Sequence, residues 1–264
     1  MKTRDGTELF VKDWGTGEPM VFVHSWALTN DIWQYQHAHF LAQGRRVVAF
    51  DRRGHGRSAQ PGDGYDMDRL ADDLDEVLQD RGVTNATLIG HSMGCAEIIR
   101  YLARHGSARI ARVVLAAPTT PFLLHTPDNP MGVPRARFEA QWSEWRKDFA
   151  RWIRDNARPF FAPDTSNAIV DWGVTMMASQ SLHPVLACSE AMVTSDLRAD
   201  CARIDVPVLV IHGTADASAP IALTGKRTAE LIPGARFQVY DGAPHGLMVT
   251  HVERVNADIT AFCG

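Results

Sequence analysis

Ala86-Thr87-Leu88-Ile89-Gly90-His91-Ser92-Met93-Gly94-Cys95-Ala96 is the stretch that decides the fold. Ala86 to Ile89 reads as a short buried strand. Ala96 to Ala103 reads as a helix, with Ile98, Ile99 and Leu102 for packing. Between them Ser92 stands with a glycine two residues before it and another two residues after. A turn this tight brings strand and helix so close that a bulky side chain at either glycine would clash. The serine then projects from the top of a sheet, at a helix N-terminus, where backbone N–H groups face any developing negative charge. An incidental serine in a glycine-rich turn is the bland reading. The strand–turn–helix setting is the one a nucleophile elbow requires, and it favours Ser92 as a nucleophile.

Outward from this stretch, apolar runs alternate with helical patterns. Two hairpin-like segments open the chain: Glu8 to Trp14 reads as an edge strand, and Met20-Val21-Phe22-Val23 follows the turn Gly15 to Pro19. Further strands are read at Arg46–Phe50, Arg112–Ala116, Val206–Ile211 and Phe237–Tyr240. Asp66 to Gln79 has helical spacing, with Leu70, Leu74, Val77 and Leu78 on one face. Ile221 to Ile232 and His251 to Phe262 also read as helices. This alternation predicts an α/β fold, a mostly parallel sheet with helices on both faces. From about Thr119 to Cys201 the alternation breaks into a helical, aromatic-rich stretch containing Phe122, Phe138, Trp142, Trp145, Phe149 and Trp152. The expected organisation is a core of residues 1–118 and 202–264 with a helical cap, 119–201, inserted over the sheet's C-terminal edge.

A serine nucleophile needs a base, and the base needs an orienting acid. His245 lies in Ala243-Pro244-His245-Gly246, on a loop just past the last expected strand. Its flanking proline and glycine fix a loop shape, whereas most of the other ten histidines are expected at the surface. Asp216 follows the strand ending at Ile211, in His212-Gly213-Thr214-Ala215-Asp216, and is preferred over Asp196, Asp200 and Asp241. The order Ser92, Asp216, His245 is that of a triad on such a sheet.

Bulk properties narrow the function classes. The chain has 264 residues, 45% of them hydrophobic, and a formal net charge of −4. No basic footprint for nucleic acid is present. Cys95, Cys188, Cys201 and Cys263 are scattered, without a C-x-x-C pair. They are expected to be free thiols, with neither a zinc site nor a disulfide framework. No H-E-x-x-H pattern suggests a metal. The first residues have no apolar run behind their charges, and no run has the length of a membrane span. A cytoplasmic protein acting on a small molecule, without metal, membrane or nucleic-acid partner, is expected.

Taken together, several segments resemble the bacterial aryl esterases and cofactor-free (non-heme) chloroperoxidases, also perhydrolases, of the α/β-hydrolase superfamily. They are Asp13-Trp14-Gly15, His24-Ser25-Trp26, Trp33-Gln34-Tyr35-Gln36, Phe50 to Ser58, Gly90 to Gly94, Ala103 to Arg109, Ile204 to Pro207 and Ala243 to Gly246. The resemblance covers almost the whole chain. It implies the α/β-hydrolase fold with a helical cap, no cofactor, hydrolysis of small carboxylic esters, perhydrolysis as a side activity, and homo-oligomers in many members. It also implies an oxyanion hole made by the backbone N–H groups of Met93 and Trp26. Relatives usually have glycine where this chain has Ser25, and those that make peracids well often have proline where it has Ala27.

Asp51-Arg52-Arg53-Gly54-His55-Gly56 looks catalytic by its charges, but the resemblance implies a structural loop of ion pairs and tight turns. Ser25, Trp33 and Phe122 are the expected substrate contacts. The alternatives carried on the same scaffold are a cofactor-free dioxygenase, a lactonase or amidase, and a slow-turnover ligand-binding protein.

Overall fold

The computed structural model describes all residues from Met1 to Gly264. Seven strands form one sheet: β1 (Val11–Trp14), β2 (Pro19–Val23), β3 (Arg46–Phe50), β4 (Ala86–His91), β5 (Ile110–Ala116), β6 (Val208–Gly213) and β7 (Arg236–Tyr240). Their spatial order is β1-β3-β2-β4-β5-β6-β7. Every neighbouring pair is parallel except β1 with β3. The helices are α1 (Gln34–Ala42), α2 (Met67–Asp80), α3 (Met93–His105), α4 (Arg135–Asn156), α5 (Asn167–Ala178), α6 (Leu182–Thr194), α7 (Arg198–Cys201), α8 (Gly225–Leu231), α9 (Leu247–Thr250) and α10 (Val252–Cys263).

The buried strands carry apolar side chains on both faces, and the alternation sorts them into two cores. Phe22, Val47, Ala49, Ile89, Val114 and Ile211 belong to one. Val21, Val23, Val48, Leu88, Val113 and Val210 belong to the other, with Leu70, Leu74, Val77 and Leu78 of α2 and Ile98 and Ile99 of α3. Covering both faces is what a parallel sheet requires. Helix α2 starts where the sequence places it, because the Asp66 carboxylate caps it by accepting from the Arg69 N–H at 2.9 Å.

Two local expectations need correction. The opening segments do not form a hairpin, because β3 lies between β1 and β2. Four of the five residues of β2 are buried, and parallel neighbours pair with it on both edges. The half-exposed β1 takes the sheet edge. The helix expected from Ile221 starts only at Gly225, after a turn in which the Thr224 hydroxyl donates to the carbonyls of Ala219 and Pro220.

The segment between β5 and β6 is helical, as its aromatic pattern suggested. Helix α4 is broken at Asp148 (φ −161°, ψ 86°), whose carboxylate caps the second half by accepting from the Arg151 N–H at 2.9 Å. Trp142, Trp145, Phe149 and Phe160 of this segment join the same apolar cluster as Phe22 and Ile211 of the sheet. No helix is long and apolar enough to cross a membrane.

Candidate active site

Because β2 to β7 are parallel, their C-terminal ends lie on one edge. Chain order reverses direction between β2 and β4, the position where open α/β sheets form a ligand crevice. His24-Ser25-Trp26 leaves β2 there and Ser92 leaves β4 there. Asp216 follows β6 and His245 follows β7 on the same edge.

Ser92 has φ 55° and ψ −115°, a conformation that residues other than glycine rarely adopt. Such strain persists only where the surroundings impose it. The flanking glycines show how. A Cβ on Gly90 would lie 2.8 Å from Ile98 Cδ1 and 2.9 Å from Cys95 N, and one on Gly94 would lie 2.5 Å from Val23 O. The elbow glycines therefore let α3 pack directly on β2 and β4. As the first residue of α3, Met93 has an N–H with no carbonyl of its own helix to bond. The Trp26 N–H donates to no group of the protein either.

Asp216 and His245 are buried and joined: His245 Nδ1 lies 2.7 Å from Asp216 Oδ2. With the proton on Nδ1, the other ring nitrogen is left free to accept one. The second carboxylate oxygen, Oδ1, accepts from the N–H groups of Ser218 at 2.9 Å and Ala219 at 2.7 Å. Burial alone would raise the Asp216 carboxyl. The facing His245, the His212 ring and the Ala219 N–H outweigh it and hold the group below its ordinary value. Ser92 Oγ is not hydrogen-bonded to His245 here. Such bonds are often long until substrate arrives.

Ser92, His245, Ser25 and Trp26 line one cavity of about 430 Å³, roofed by residues such as Trp145 and Phe160. Trp26 stacks on Trp145 with ring centroids 4.6 Å apart, and its indole N–H donates to Val185 O at 2.8 Å. Two of the expected substrate contacts lie elsewhere. Trp33 is fully buried beneath the site, against Phe22 and with its indole near Val23 O, because the chain turns inward after Thr29. Phe122 lines a separate, smaller cavity beside Met131 and Arg227. The rival acids are also remote from His245 in their bonding. Asp241 accepts from the Thr214 hydroxyl at the surface, Asp196 pairs with Arg198, and Asp200 with Arg100.

The histidines depart most from expectation. Of the ten besides His245, His24, His37, His55, His91 and His212 are buried. The His91 ring lies tilted against the His245 ring, with centroids 4.7 Å apart, and donates through Nε2 to His245 O at 3.0 Å, holding the loop that carries His245. His212 Nε2 lies 2.8 Å from Ala219 O and 3.1 Å from Asp216 Oδ2, so it braces the Asp216 carboxylate. Both lie beside motif residues in sequence, and that adjacency was the available signal.

The charged loop behaves as a structural element. Arg53 pairs with Asp73, Asp51 accepts from the N–H groups of Asn30 and Arg57, and Arg52 pairs with Glu97. The four cysteines are buried and unpaired. No three His, Cys, Asp or Glu side chains converge to hold a metal ion.

An alpha/beta hydrolase family model matches residues 20–258. The chain is 38% identical to a non-heme chloroperoxidase of Kitasatospora aureofaciens, over 98% of this chain and 97% of that one. It is also 38% identical to a bifunctional esterase/perhydrolase of Acinetobacter calcoaceticus, with the same coverage of both chains, 98% and 97%. The crystal structure of a bromoperoxidase from Bacillus anthracis superposes with a TM-score of 0.94 at 34% identity, covering 98% of this chain and 96% of that one.

Proposed function

The chain belongs to the alpha/beta hydrolase family, and from that premise we propose that it hydrolyses small carboxylic esters through an acyl-enzyme on Ser92. The observation that carries the reading is the buried His245–Asp216 pair, 2.7 Å apart, opening onto the same cavity as the strained Ser92.

His245 Nε2 takes the proton of the Ser92 hydroxyl as Oγ attacks the ester carbonyl. Asp216 holds the imidazole in the productive tautomer and stabilises the imidazolium. The N–H groups of Met93 and Trp26 receive the oxyanion. Each such donor is worth roughly 2.7–4 kcal/mol to the transition state. His245 then protonates the leaving alcohol. In the second half, His245 deprotonates water, which attacks the acyl carbon and releases the acid. Hydrogen peroxide in place of water releases a peracid, a side reaction. The cavity is lined mainly by apolar side chains, which suits a small aryl or alkyl ester rather than a charged substrate.

The test is to treat the enzyme with a fluorophosphonate and map the adduct while following turnover of a nitrophenyl ester. A single adduct on the Ser92 peptide, formed in step with loss of turnover, is expected. Turnover that survives complete labelling, or an adduct elsewhere, contradicts the proposal.

A further inference from the structure

The loop that carries Trp26 and the helix that carries Met93 are tied together by one buried ion pair. Arg52 and Glu97 each have side chains only 1% exposed. Arg52 donates to Glu97 Oε1 through Nε, at 2.7 Å, and through Nη2. The same guanidinium reaches the loop: Nη2 donates to His24 O at 2.6 Å and Nη1 to Ser25 O at 3.1 Å. Its backbone N–H donates to His24 Nε2 at 2.8 Å, and His24 Nδ1 lies 2.8 Å from Ser25 O. Glu97 sits on α3, one turn beyond Met93. His24 and Ser25 are therefore held from three directions, immediately before the Trp26 N–H.

A device for stability alone would be poorly built this way. Burying an ion pair costs heavily in desolvation, and an apolar pair of the same shape often stabilises as well. Glu97 Oε2 also has no hydrogen-bond partner, so the carboxylate is only half satisfied. What the pair supplies that an apolar pair cannot is a planar fork, fixed at one end to α3 and at the other to two carbonyls of the loop.

We infer that Arg52 and Glu97 are positioning residues that keep the Trp26 and Met93 N–H groups aimed at a single point. The inference rests on the acyl-enzyme reading of Ser92 with those two donors. A loop that drifts loses transition-state stabilisation while substrate binding survives. Loss of the pair is therefore expected in kcat and not in KM.

The experiment compares Arg52→Lys and Glu97→Gln with Asp73→Asn, in the full chain. Asp73→Asn removes the charge and one of the two accepting oxygens of the buried Arg53–Asp73 pair, which does not touch the loop. Three quantities are read: kcat and KM on a nitrophenyl ester, inhibition by an aryl boronic acid that forms a tetrahedral adduct on serine, and Tm. Lysine keeps the charge but cannot bridge both carbonyls and Glu97, so Arg52→Lys should lower kcat about ten- to a hundredfold with KM nearly unchanged. Boronate affinity should fall in parallel. The amide oxygen of Glu97→Gln still accepts from Arg52, so its loss should be smaller, about three- to tenfold. Asp73→Asn should lower Tm and leave kcat within about twofold. Should Arg52→Lys not fold, Glu97→Gln decides by the same readouts. Unchanged kcat and boronate affinity in the folded pair variants, or kcat losses that merely follow Tm in all three, overturn the inference. A wild-type enzyme that forms no adduct on Ser92 overturns the underlying reading, and the inference with it.

Discussion

Asp216 Oδ2 lies 2.7 Å from His245 Nδ1, joining the ends of β6 and β7 across 29 residues of sequence. Both side chains are buried, and two backbone N–H groups fix the other carboxylate oxygen. Asp216→Asn should reverse the polarity of this bond and leave the histidine in the wrong tautomer. A loss of about 10⁴ in kcat is expected, by the precedent of such substitutions in serine proteases. Asp241→Asn should stay within about threefold, since Asp241 only receives a surface hydroxyl and such changes are usually small. Steady-state rates of the two variants on one ester separate the acids. Equal losses would remove Asp216 from its assigned role.

The buried histidines make stability depend on pH. Burial lowers His37 and His55 to about 3 and takes His24 and His91 well below their ordinary value of 6.5. Below pH 6.5 the unfolded chain gains protons at these sites that the native protein does not. Stability should therefore fall as pH drops from about 6.5 toward 4, by up to about 1.4 kcal/mol per pH unit for each such group. Urea unfolding at pH 7, 6 and 5 would show it as a falling midpoint. Identical midpoints at pH 7 and pH 5 would mean that these rings are not held neutral.

Ser25 lines the cavity beside Ser92, and its carbonyl, not its hydroxyl, is the group held by Arg52. Its φ is not positive, so glycine's extra freedom is not needed at this position. The hydroxyl is then free to act on the alcohol side of the substrate. Ser25→Gly and Ser25→Ala should both reorder an aryl ester, an alkyl ester and a lactone by kcat/KM, with shifts of about one to two powers of ten. A uniform small factor across all three substrates would assign the hydroxyl no selective role.

Ala27 has φ 53°, and proline holds φ near −65°. Ala27→Pro must therefore rebuild the turn that follows Trp26. The resemblance that links proline at this position to peracid formation gives the direction: the ratio of perhydrolysis to hydrolysis should rise, with a lower Tm. Peracid yield from a methyl ester and hydrogen peroxide, set against acid yield, measures it. An unchanged ratio in the folded variant would separate this position from the choice between water and peroxide.

The strand–turn–helix around Ser92, the strands and the placing of Ser92, Asp216 and His245 after successive strands were legible because each is written locally. Apolar runs mark strands, and the Gly90 and Gly94 spacing records two close backbone approaches. What lay outside the sequence was neighbourhood. A short apolar run shows that β2 exists but not that β3 separates it from β1. Aromatic character alone marks Trp33 and Phe122 as candidate substrate contacts. Their positions depend on how the chain turns after Thr29 and how the segment between β5 and β6 packs. Arg52, fastened to Glu97 and to two loop carbonyls, could be read only as part of a charged loop, since its partners lie 28 and 45 residues away.

The covalent role proposed for Ser92 is tested most directly by the residual activity of Ser92→Ala. With no hydroxyl to acylate, the variant should fold, retain wild-type Tm within a few degrees and keep less than about a thousandth of the wild-type kcat on a nitrophenyl ester, in keeping with the loss of a triad nucleophile. A folded, uncontaminated Ser92→Ala protein that still turns over the ester at more than about a thousandth of the wild-type rate would contradict an acyl-enzyme on this residue.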